Sequence, residues 1–441
     1  MLPYLDHILP HNSFHEATAE VMNNEDLMLD WIDHFSQAFK RNRAMRAHVE
    51  VTHQRMCDYD RLRALSAILK QNENLLKFVV RDSGEVVTCM VPRMIINVDP
   101  NVLTLNAGEV THAFEKLKKW FGMARNLPLR FYQHHTYPEV RYNMIWVTGA
   151  RDYELSAWAN AVRTEAKTRE PYWRISVLGA GDDGSAAIMP PARLLEQGIF
   201  PHDYVTFEYD LAKCDASMGK GPRMYVDAML ARVGMGDYSR RLLVDVAFAN
   251  VKMKYRTDKI WIKMIERAMQ KSGNSDTTGA NTSACAVAAV EAIGHSLSQL
   301  GRGWNAHQFQ AGFSERAMYF GVKYTSDIWT GTRSLEPLFF LTMLKGTWYK
   351  SAYEDCLIWS CVPALILKLG CYRDDPRVLA YAKKPLQQDY FPACEAVMAA
   401  VYANWTTFPG ICDIPLFGDF LAGYEADVGS KYVQRVLKRN P

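Results

Sequence analysis

The stretch RISVLGAGDDGSAAIM, residues 174–189, decides how this chain folds. Two short apolar runs flank a tight, acidic, glycine-rich turn, which is the pattern of a β-hairpin. Gly181, Asp182 and Asp183 stand at its tip. Adjacent carboxylates repel, so a turn that holds them together favours either full solvation or a divalent cation. A Gly-Asp-Asp triplet arises by chance in roughly one chain in ten of this size. The flanking strands give it weight, because they would hold the turn rigidly.

Downstream, DYVTFEYDL (203–211) reads as a buried strand ending in an acidic turn. Asp210 closes it and Asp215 follows five residues on, a spacing expected about once by chance in a chain of this length. The sharper pattern is SGNSDTTGAN, residues 272–281. Ser272, Gly273, Thr277 and Asn281 form a set whose chance rate is well below about one chain in a hundred. Gly273 and Gly279 permit a flexible loop. The hydroxyls of Ser272 and Thr277 and the amide of Asn281 offer hydrogen-bonding groups at a helix start. An ordinary capped helix explains one or two of these residues, not four at this spacing. The helix continues over 284–300, rich in Ala, Val and Ser, whose small side chains allow close packing.

Outward from these motifs, residues 14–75 carry helical spacing with many charges. Residues 76–98 read as two strands around a turn at Asp82, Ser83 and Gly84. Helices are expected near 107–121, 153–166 and, after a turn at Gly301 to Gly303, over 310–320. The longest apolar stretch, 356–367, is interrupted by Ser360 and Pro363 and ends at Lys368. A membrane span needs about 20 apolar residues, so this stretch reads as a buried helix. The last hundred residues follow a mostly apolar helical pattern and close on a solvated basic tail, KYVQRVLKRNP. With no internal repeat and no low-complexity linker, the chain reads as one compact body.

The 441 residues are 49% hydrophobic, enough for a large core, and 51 basic against 48 acidic residues leave a net charge of only +3. That near balance neither supports nor excludes nucleic acid, because the charge that matters in a nucleic-acid channel is local. Nine scattered cysteines without a CxxC pair favour a reducing compartment and no zinc site. The N-terminus lacks a basic region followed by an apolar run, so no signal peptide is expected. The expectation is a soluble protein without a membrane span.

Taken together, Asp210 with Asp215, the SGxxxTxxxN set and Gly181-Asp182-Asp183 resemble motifs A, B and C of viral RNA-dependent RNA polymerases, and they match without a departure. The order here is C, A, B, which resembles the permuted polymerases of permutotetraviruses and birnaviruses. Birnaviruses usually carry Ala-Asp-Asn where this chain has Gly-Asp-Asp, so the nearer likeness is to permutotetraviruses or an unassigned relative. No Asp lies between Asp276 and Asp327, and no strand–turn–strand fits there. The missing hairpin is the upstream one. The two ends of a hairpin lie side by side, so moving it along the chain can leave its place in a sheet unchanged. Gly321-Val322-Lys323 resembles motif D, and PLFFLTMLKGTWY (337–349) resembles the motif E hairpin. Lys77, Arg81 and Arg93, in two basic strands over 77–98, resemble motif F, which covers the incoming triphosphate.

The resemblance implies an α+β right-hand fold of fingers, palm and thumb, with an antiparallel palm sheet and circularly permuted motifs. Residues 1–170 would supply an N-terminal region and fingers, 171–218 and 266–345 the palm, 219–265 a fingers insertion and 346–441 the thumb. It implies template-directed nucleotidyl transfer from NTPs to an RNA 3′ end, replicating or transcribing a viral RNA genome. Asp210, Asp182 and Asp183 would hold two Mg²⁺ ions, about 3.5–4 Å apart, for which Mn²⁺ could substitute. Asp215 and Asn281 would sense the ribose 2′-hydroxyl, Ser272, Gly273 and Thr277 would order the pocket and the RNA, and Lys323 would sit near the leaving pyrophosphate. Lys77, Arg81 and Arg93 would meet the triphosphate. Implied partners are RNA template and product, NTPs, and viral capsid or replication-complex proteins, in the cytoplasm of the infected cell or the virion. The short thumb fits a spacious product exit, and the lack of a visible long primer-binding insertion leans toward de novo initiation, with primed initiation left open.

Two other readings compete. A reverse transcriptase shares the carboxylate logic but lacks the Asp215–Asn281 pair, and the aromatic residue usual before its acidic pair is missing here. A catalytically silent RNA-binding relative would be expected to have lost a carboxylate or the Ser-Gly loop; here all are present.

Overall fold

The computed structural model describes residues 2–10, 29, 45, 64–80, 83–84, 86–97, 100–212, 214–254, 261–264, 269–271, 274–329, 335–344, 346–350 and 355–361. For 2–4, 64–80, 86–97, 100–107, 250–254, 261–264 and 360–361 it describes the backbone alone. The helices are α1 (Leu2–Ile8), α2 (Pro100–Phe121), α3 (Met123–Asn126), α4 (Asp152–Ala166), α5 (Ala192–Glu196), α6 (Cys214–Ser217), α7 (Lys220–Arg232), α8 (Asp237–Phe248), α9 (Thr277–Gln299) and α10 (Ala306–Tyr319). The strands are β1 (Ala64–Val80), β2 (Val86–Asn97), β3 (Tyr132–Gln133), β4 (Val140–Trp146), β5 (Trp173–Ala180), β6 (Asp183–Met189), β7 (Val205–Leu211), β8 (Asn250–Lys254), β9 (Trp261–Met264), β10 (Tyr324–Ile328), β11 (Thr342–Met343), β12 (Gly346–Lys350) and β13 (Leu357–Cys361).

The chain is of mixed α+β build and divides into two units, Met1–Gly149 with Thr168–Thr330 and Ala150–Lys167 with Gly331–Pro441. The first unit holds a six-stranded sheet in the order β10-β7-β6-β5-β4-β3 and a four-stranded sheet in the order β2-β1-β8-β9. In the six-stranded sheet only β4 and β5 run parallel; its other pairs are antiparallel. Strands β4 to β6 are buried along nearly their whole length, because helices cover the sheet. α9 lies along β5 and β4. From Ala280 to Gly294 every residue of α9 is buried. Its small side chains allow the close approach expected of them: a Cβ on Gly179 of β5 would stand 3.2 Å from the Ala286 Cβ. Phe309 and Phe313 of α10 complete the core with edge-to-face contacts to Phe207 on β7.

The single compact body expected from the sequence is therefore two. α4 turns its apolar face onto the three-stranded sheet β11-β12-β13 of the second unit. The Trp158 and Trp348 rings meet at 5.2 Å, and the Trp348 indole donates to the Leu155 carbonyl at 2.9 Å. Side chains of α4 also bind the edge of β13: Asn160 Oδ1 accepts from Leu357 N and Ser156 Oγ from Trp359 N, both at 2.9 Å.

Three expectations on secondary structure are overturned. The helical reading of 14–75 fails over 64–75, where β1 pairs with β2 from Ser66↔Asn97 to Val80↔Val86. The apolar spacing there suits either element, and the ladder, with an irregularity between Leu69 and Asn74, wins over local periodicity. The expected hairpin around Ser83 and Gly84 is present, with a longer first arm. The buried helix expected over 356–367 fails over Leu357–Cys361, which is β13, antiparallel to β12; an apolar run this short is ambiguous between helix and strand. The helical pattern of the final hundred residues fails there and over β11 and β12, and its part beyond residue 361 lies outside the described residues.

Candidate active site

The turn between β5 and β6 consists of Gly181 and Asp182 alone. Gly181 has φ +69° and Asp182 does not share that region, the pattern of a type II′ turn that requires glycine at its first central position. Asp183 is the first residue of β6 and lies directly opposite Asp210 on β7. Residues directly opposed across an antiparallel pair share a face, so both carboxylates issue from the same side of the sheet. The Leu211 amide donates to the Asp182 carbonyl at 3.1 Å, extending the ladder past the turn. Lys323 reaches the same end of the sheet: its carbonyl accepts from Ala212 N at 2.9 Å, and β10 begins with the next residue. Asp182, Asp210 and Lys323 are exposed and Asp183 half-buried.

Behind this face the sheet is held by a glycine–tyrosine pair. Gly184 lies opposite Tyr209, and a Cβ on Gly184 would fall 2.1 Å from the Tyr209 ring. The ring fills the place of the missing side chain and packs edge-to-face on Tyr324 at 5.3 Å. Burial pushes the Tyr209 phenol well above its ordinary pKa, so it stays neutral.

Helix α9 brings its polar first turns to the same end. Thr282 Oγ1 accepts from the Gly181 amide at 2.8 Å and donates to the Thr278 carbonyl at 2.7 Å, tying the turn to the helix. Asn281 Nδ2 donates to Asp215 Oδ1 at 2.9 Å, while Asn281 Oδ1 is buried with no hydrogen-bond partner among the described residues. Asp215 O accepts from Gln270 N at 2.9 Å. Thr277 Oγ1 donates to the carbonyls of Asn274 (2.9 Å) and Lys271 (3.1 Å), closing the loop before the helix. Gly279 lies within α9, not in a loop as expected. Its Cβ would stand 2.2 Å from the Phe114 ring, so glycine here answers a close approach of α2.

The electrostatics follow from the crowding of acids. Although the Asp210 side chain reaches solvent, its carboxyl is raised above its ordinary pKa, first by partial desolvation among the packed strand ends, then by the nearby charges of Asp182 and Glu208. Such a site gains from a cation. Among the described residues no group of three or more His, Cys, Asp or Glu side chains is arranged to hold a metal. Beneath Asp215, the thiols of Cys214 and Cys285 lie 3.7 Å apart and buried. Their mutual hydrogen bond, then burial, pushes Cys214 upward, so it stays a thiol.

Ser272, Gly273 and Arg81 lie outside the described residues, and Lys77 and Arg93 stand on β1 and β2, where the backbone alone is described. Sequence reasoning missed three groups. Thr282 follows a motif position but no spacing marks it. Arg223 of α7 forms a buried ion pair with Asp276, which also accepts from Gln270 Nε2 at 2.7 Å. Glu208, two residues before Asp210 on the same face, was visible as period-two alternation within β7.

The fold and site thus define an α+β protein whose central sheet gathers carboxylates at one end beside the polar start of an alanine-rich helix. No family model matches the chain, and no curated protein matches it. Among solved structures it is similar to the X-ray structure of the birnavirus VP1–VP3 complex, at 12% identity and a TM-score of 0.46, over 83% of this chain. The match covers 45% of that chain, so this one spans less than half its length. No helix among the described residues is long and apolar enough to cross a membrane.

Proposed function

We propose that the chain is a viral RNA-dependent RNA polymerase of right-hand build with permuted motifs. The observation that carries the reading is the convergence at one end of one sheet of Asp182, Asp183 and Asp210, with the Asn281–Asp215 hydrogen bond beside them. Three sequence motifs separated by as many as 100 residues in the chain meet there. Thr282 links the turn of one to the helix of another.

Asp210 and Asp182, with Asp183, would hold Mg²⁺ or Mn²⁺. Mg²⁺ is commonly bound by one or two carboxylates, its other ligands being water and substrate phosphate, so a closed protein cage is not required. Bound there, the ions would supply activation of an attacking 3′-hydroxyl and neutralisation of the leaving pyrophosphate. The chain's own residues do the rest. Asn281 Oδ1, buried and with no partner among the described residues, can accept from a ribose 2′-hydroxyl, and Asp215 fixes the amide so that this oxygen is the one presented. Lys323, exposed at the same sheet end, supplies a cation near the leaving group. By resemblance, Ser272, Gly273 and Thr277 would order the pocket, and Lys77, Arg81 and Arg93 would meet the triphosphate. The partners are RNA, NTPs and other viral replication or capsid proteins in the infected cell.

The test is incorporation of labelled ribonucleotides on single-stranded RNA with Mg²⁺ or Mn²⁺, wild type beside Asp182→Ala. Template-dependent product that disappears in the variant is expected. Product unchanged in the variant would place the reaction elsewhere and remove the permuted hairpin from it.

A further inference from the structure

At the opposite edge of the six-stranded sheet, the first unit carries a second recess. A cavity of about 280 Å³ opens among α1, α2, α3, β3 and β4, lined chiefly by His7, Trp120, Phe121, Arg125, Tyr132 and Tyr142. It stands at β3, four strands from β7, roughly 19 Å across the sheet from Asp210 at the usual strand spacing. It belongs to a different place from the carboxylates.

The walls are built, not incidental. The Trp120 indole donates to the Ile8 carbonyl at 3.0 Å, and the Arg125 guanidinium lies 3.2 Å over its ring. Asn126 spends its Nδ2 on the carbonyls of Trp120 (3.1 Å) and Gly122 (2.9 Å), which leaves the amide oxygen as the polar group it can offer. His7 and Tyr132 stand edge to face at 6.3 Å, and Tyr132 is 45% exposed. The segment that forms two of its walls is basic: between Glu115 and Glu139 it carries Lys116, Lys118, Lys119, Arg125 and Arg130 and no acidic residue, while Asp6 of α1 is held in an ion pair with Arg232. Lys118, Lys119, Arg125 and Arg130 are exposed.

Aromatic faces with an amide oxygen suit a planar heteroaromatic ring bearing an amine, and surrounding cations suit phosphates attached to it. The volume lies just below the roughly 300–1,000 Å³ of pockets that enclose drug-sized ligands, room for a single nucleoside. Bases stacked in a duplex hide their faces, whereas those of a single strand are free to stack on side chains. We infer that this recess binds an unpaired base of single-stranded RNA, with neighbouring phosphates on the Lys118–Arg130 stripe, as a docking point for template outside the reaction centre. The choice of RNA over DNA rests on the polymerase reading; the base pocket itself does not.

The experiment is photocrosslinking of a short single-stranded RNA containing iodouridine to the full chain, with fluorescence anisotropy of the same RNA in the absence of NTPs. Crosslinks on Trp120 or Tyr132 are expected, with about tenfold weaker binding for Tyr132→Ala, the loss of one stacked base, and retention for Tyr132→Phe. Tyr132 is exposed, so its loss leaves the fold intact; Arg125→Gln provides a second, independent weakening of about threefold. Duplex RNA should not compete. Wild-type-like binding by both variants, crosslinks confined elsewhere, or no RNA binding by the wild type would overturn the inference. A free nucleoside monophosphate that binds as tightly as RNA would also overturn it, assigning the pocket to mononucleotides. Loss of binding in Tyr132→Ala alongside a wild type that incorporates nothing would keep the pocket and sink the polymerase reading. Incorporation with unaltered binding would do the reverse.

Discussion

Asn281 and Asp215 are joined across 66 residues of sequence by a single 2.9 Å hydrogen bond, from the amide nitrogen of a helix to a carboxylate beyond a strand end. The bond fixes which way the Asn281 amide faces and leaves its oxygen buried, with no partner among the described residues. A buried acceptor without a partner costs about 1–3 kcal/mol, and a ribose hydroxyl would recover that loss on binding. Asn281→Ala is therefore expected to raise KM for ribonucleotides about tenfold and to leave deoxynucleotide use unchanged. Steady-state incorporation of matched ribo- and deoxynucleotides reads this directly. An equal loss for both sugars would remove Asn281 from ribose sensing.

Asp210 predicts a trade between stability and activity. Its folded pKa is raised, by partial desolvation and then by Asp182 and Glu208. A carboxyl raised on folding holds its proton more tightly in the native state. Its contribution to stability is thus fully present below the unfolded pKa and is lost as pH rises through the folded value. At neutral pH the charged form opposes folding. Asp210→Asn should raise Tm by about 1–2 °C at pH 7.5, lose that gain near pH 4, and abolish incorporation. A lower Tm at neutral pH would mean that the carboxylate stabilises the strand end.

How much of this was legible beforehand varies by element for physical reasons. The hairpin at 174–189 and the strand at 203–211 were readable because turn chemistry and apolar runs are local. Their adjacency in the sheet was an inference from the motifs, and β6 does pair with β7. The pairing of β1 and the strand at Leu357–Cys361 were not readable, because apolar spacing there serves helix and strand alike and distant partners decide. Arg223–Asp276 left no trace at all: nothing in either residue's neighbourhood marks a buried ion pair between α7 and the loop before α9. Gly279 was noticed for the wrong reason, flexibility, when the Phe114 ring is what excludes a side chain.

The Gly184–Tyr209 pair is a second place where a glycine carries the site. A methyl group on Gly184 would meet the Tyr209 ring at 2.1 Å, beside the Asp183–Asp210 pair. Overpacking of this kind costs about 1–3 kcal/mol. Gly184→Ala should lower the urea midpoint accordingly and depress activity. Gly184→Ala combined with Tyr209→Leu should recover part of the midpoint. If the double variant is as unstable as the sum of the two single ones, the ring is not the obstacle.

Arg223 and Asp276 form an ion pair in which both side chains are at most 2% exposed. Removing one partner strands a buried charge, at a cost of about 3–5 kcal/mol, whereas removing both costs less. Arg223→Met should therefore destabilise the chain more than Arg223→Met with Asp276→Asn. Thermal unfolding of Arg223→Met, Asp276→Asn and the double variant gives the coupling, and additive losses would show that the pair acts as two independent residues.

His134 makes a prediction about acid. Its Nδ1 accepts from the amides of Thr136 (3.1 Å) and Tyr137 (3.2 Å), so protonation there would break both bonds. Glu291, 3.7 Å from Nε2, favours the charged ring, but burial outweighs it and lowers the pKa from 6.5 to about 4. A histidine depressed on folding binds its proton more readily when unfolded. The stability it contributes is complete above pH 6.5 and falls away as pH drops toward 4. The full linkage amounts to about 3 kcal/mol. Urea midpoints measured between pH 7 and pH 4 should decline in the wild type, and the decline should shrink in His134→Gln, which cannot take up the proton. An identical pH profile in the variant would mean that other groups govern the acid response and that His134 is protonated in the native protein.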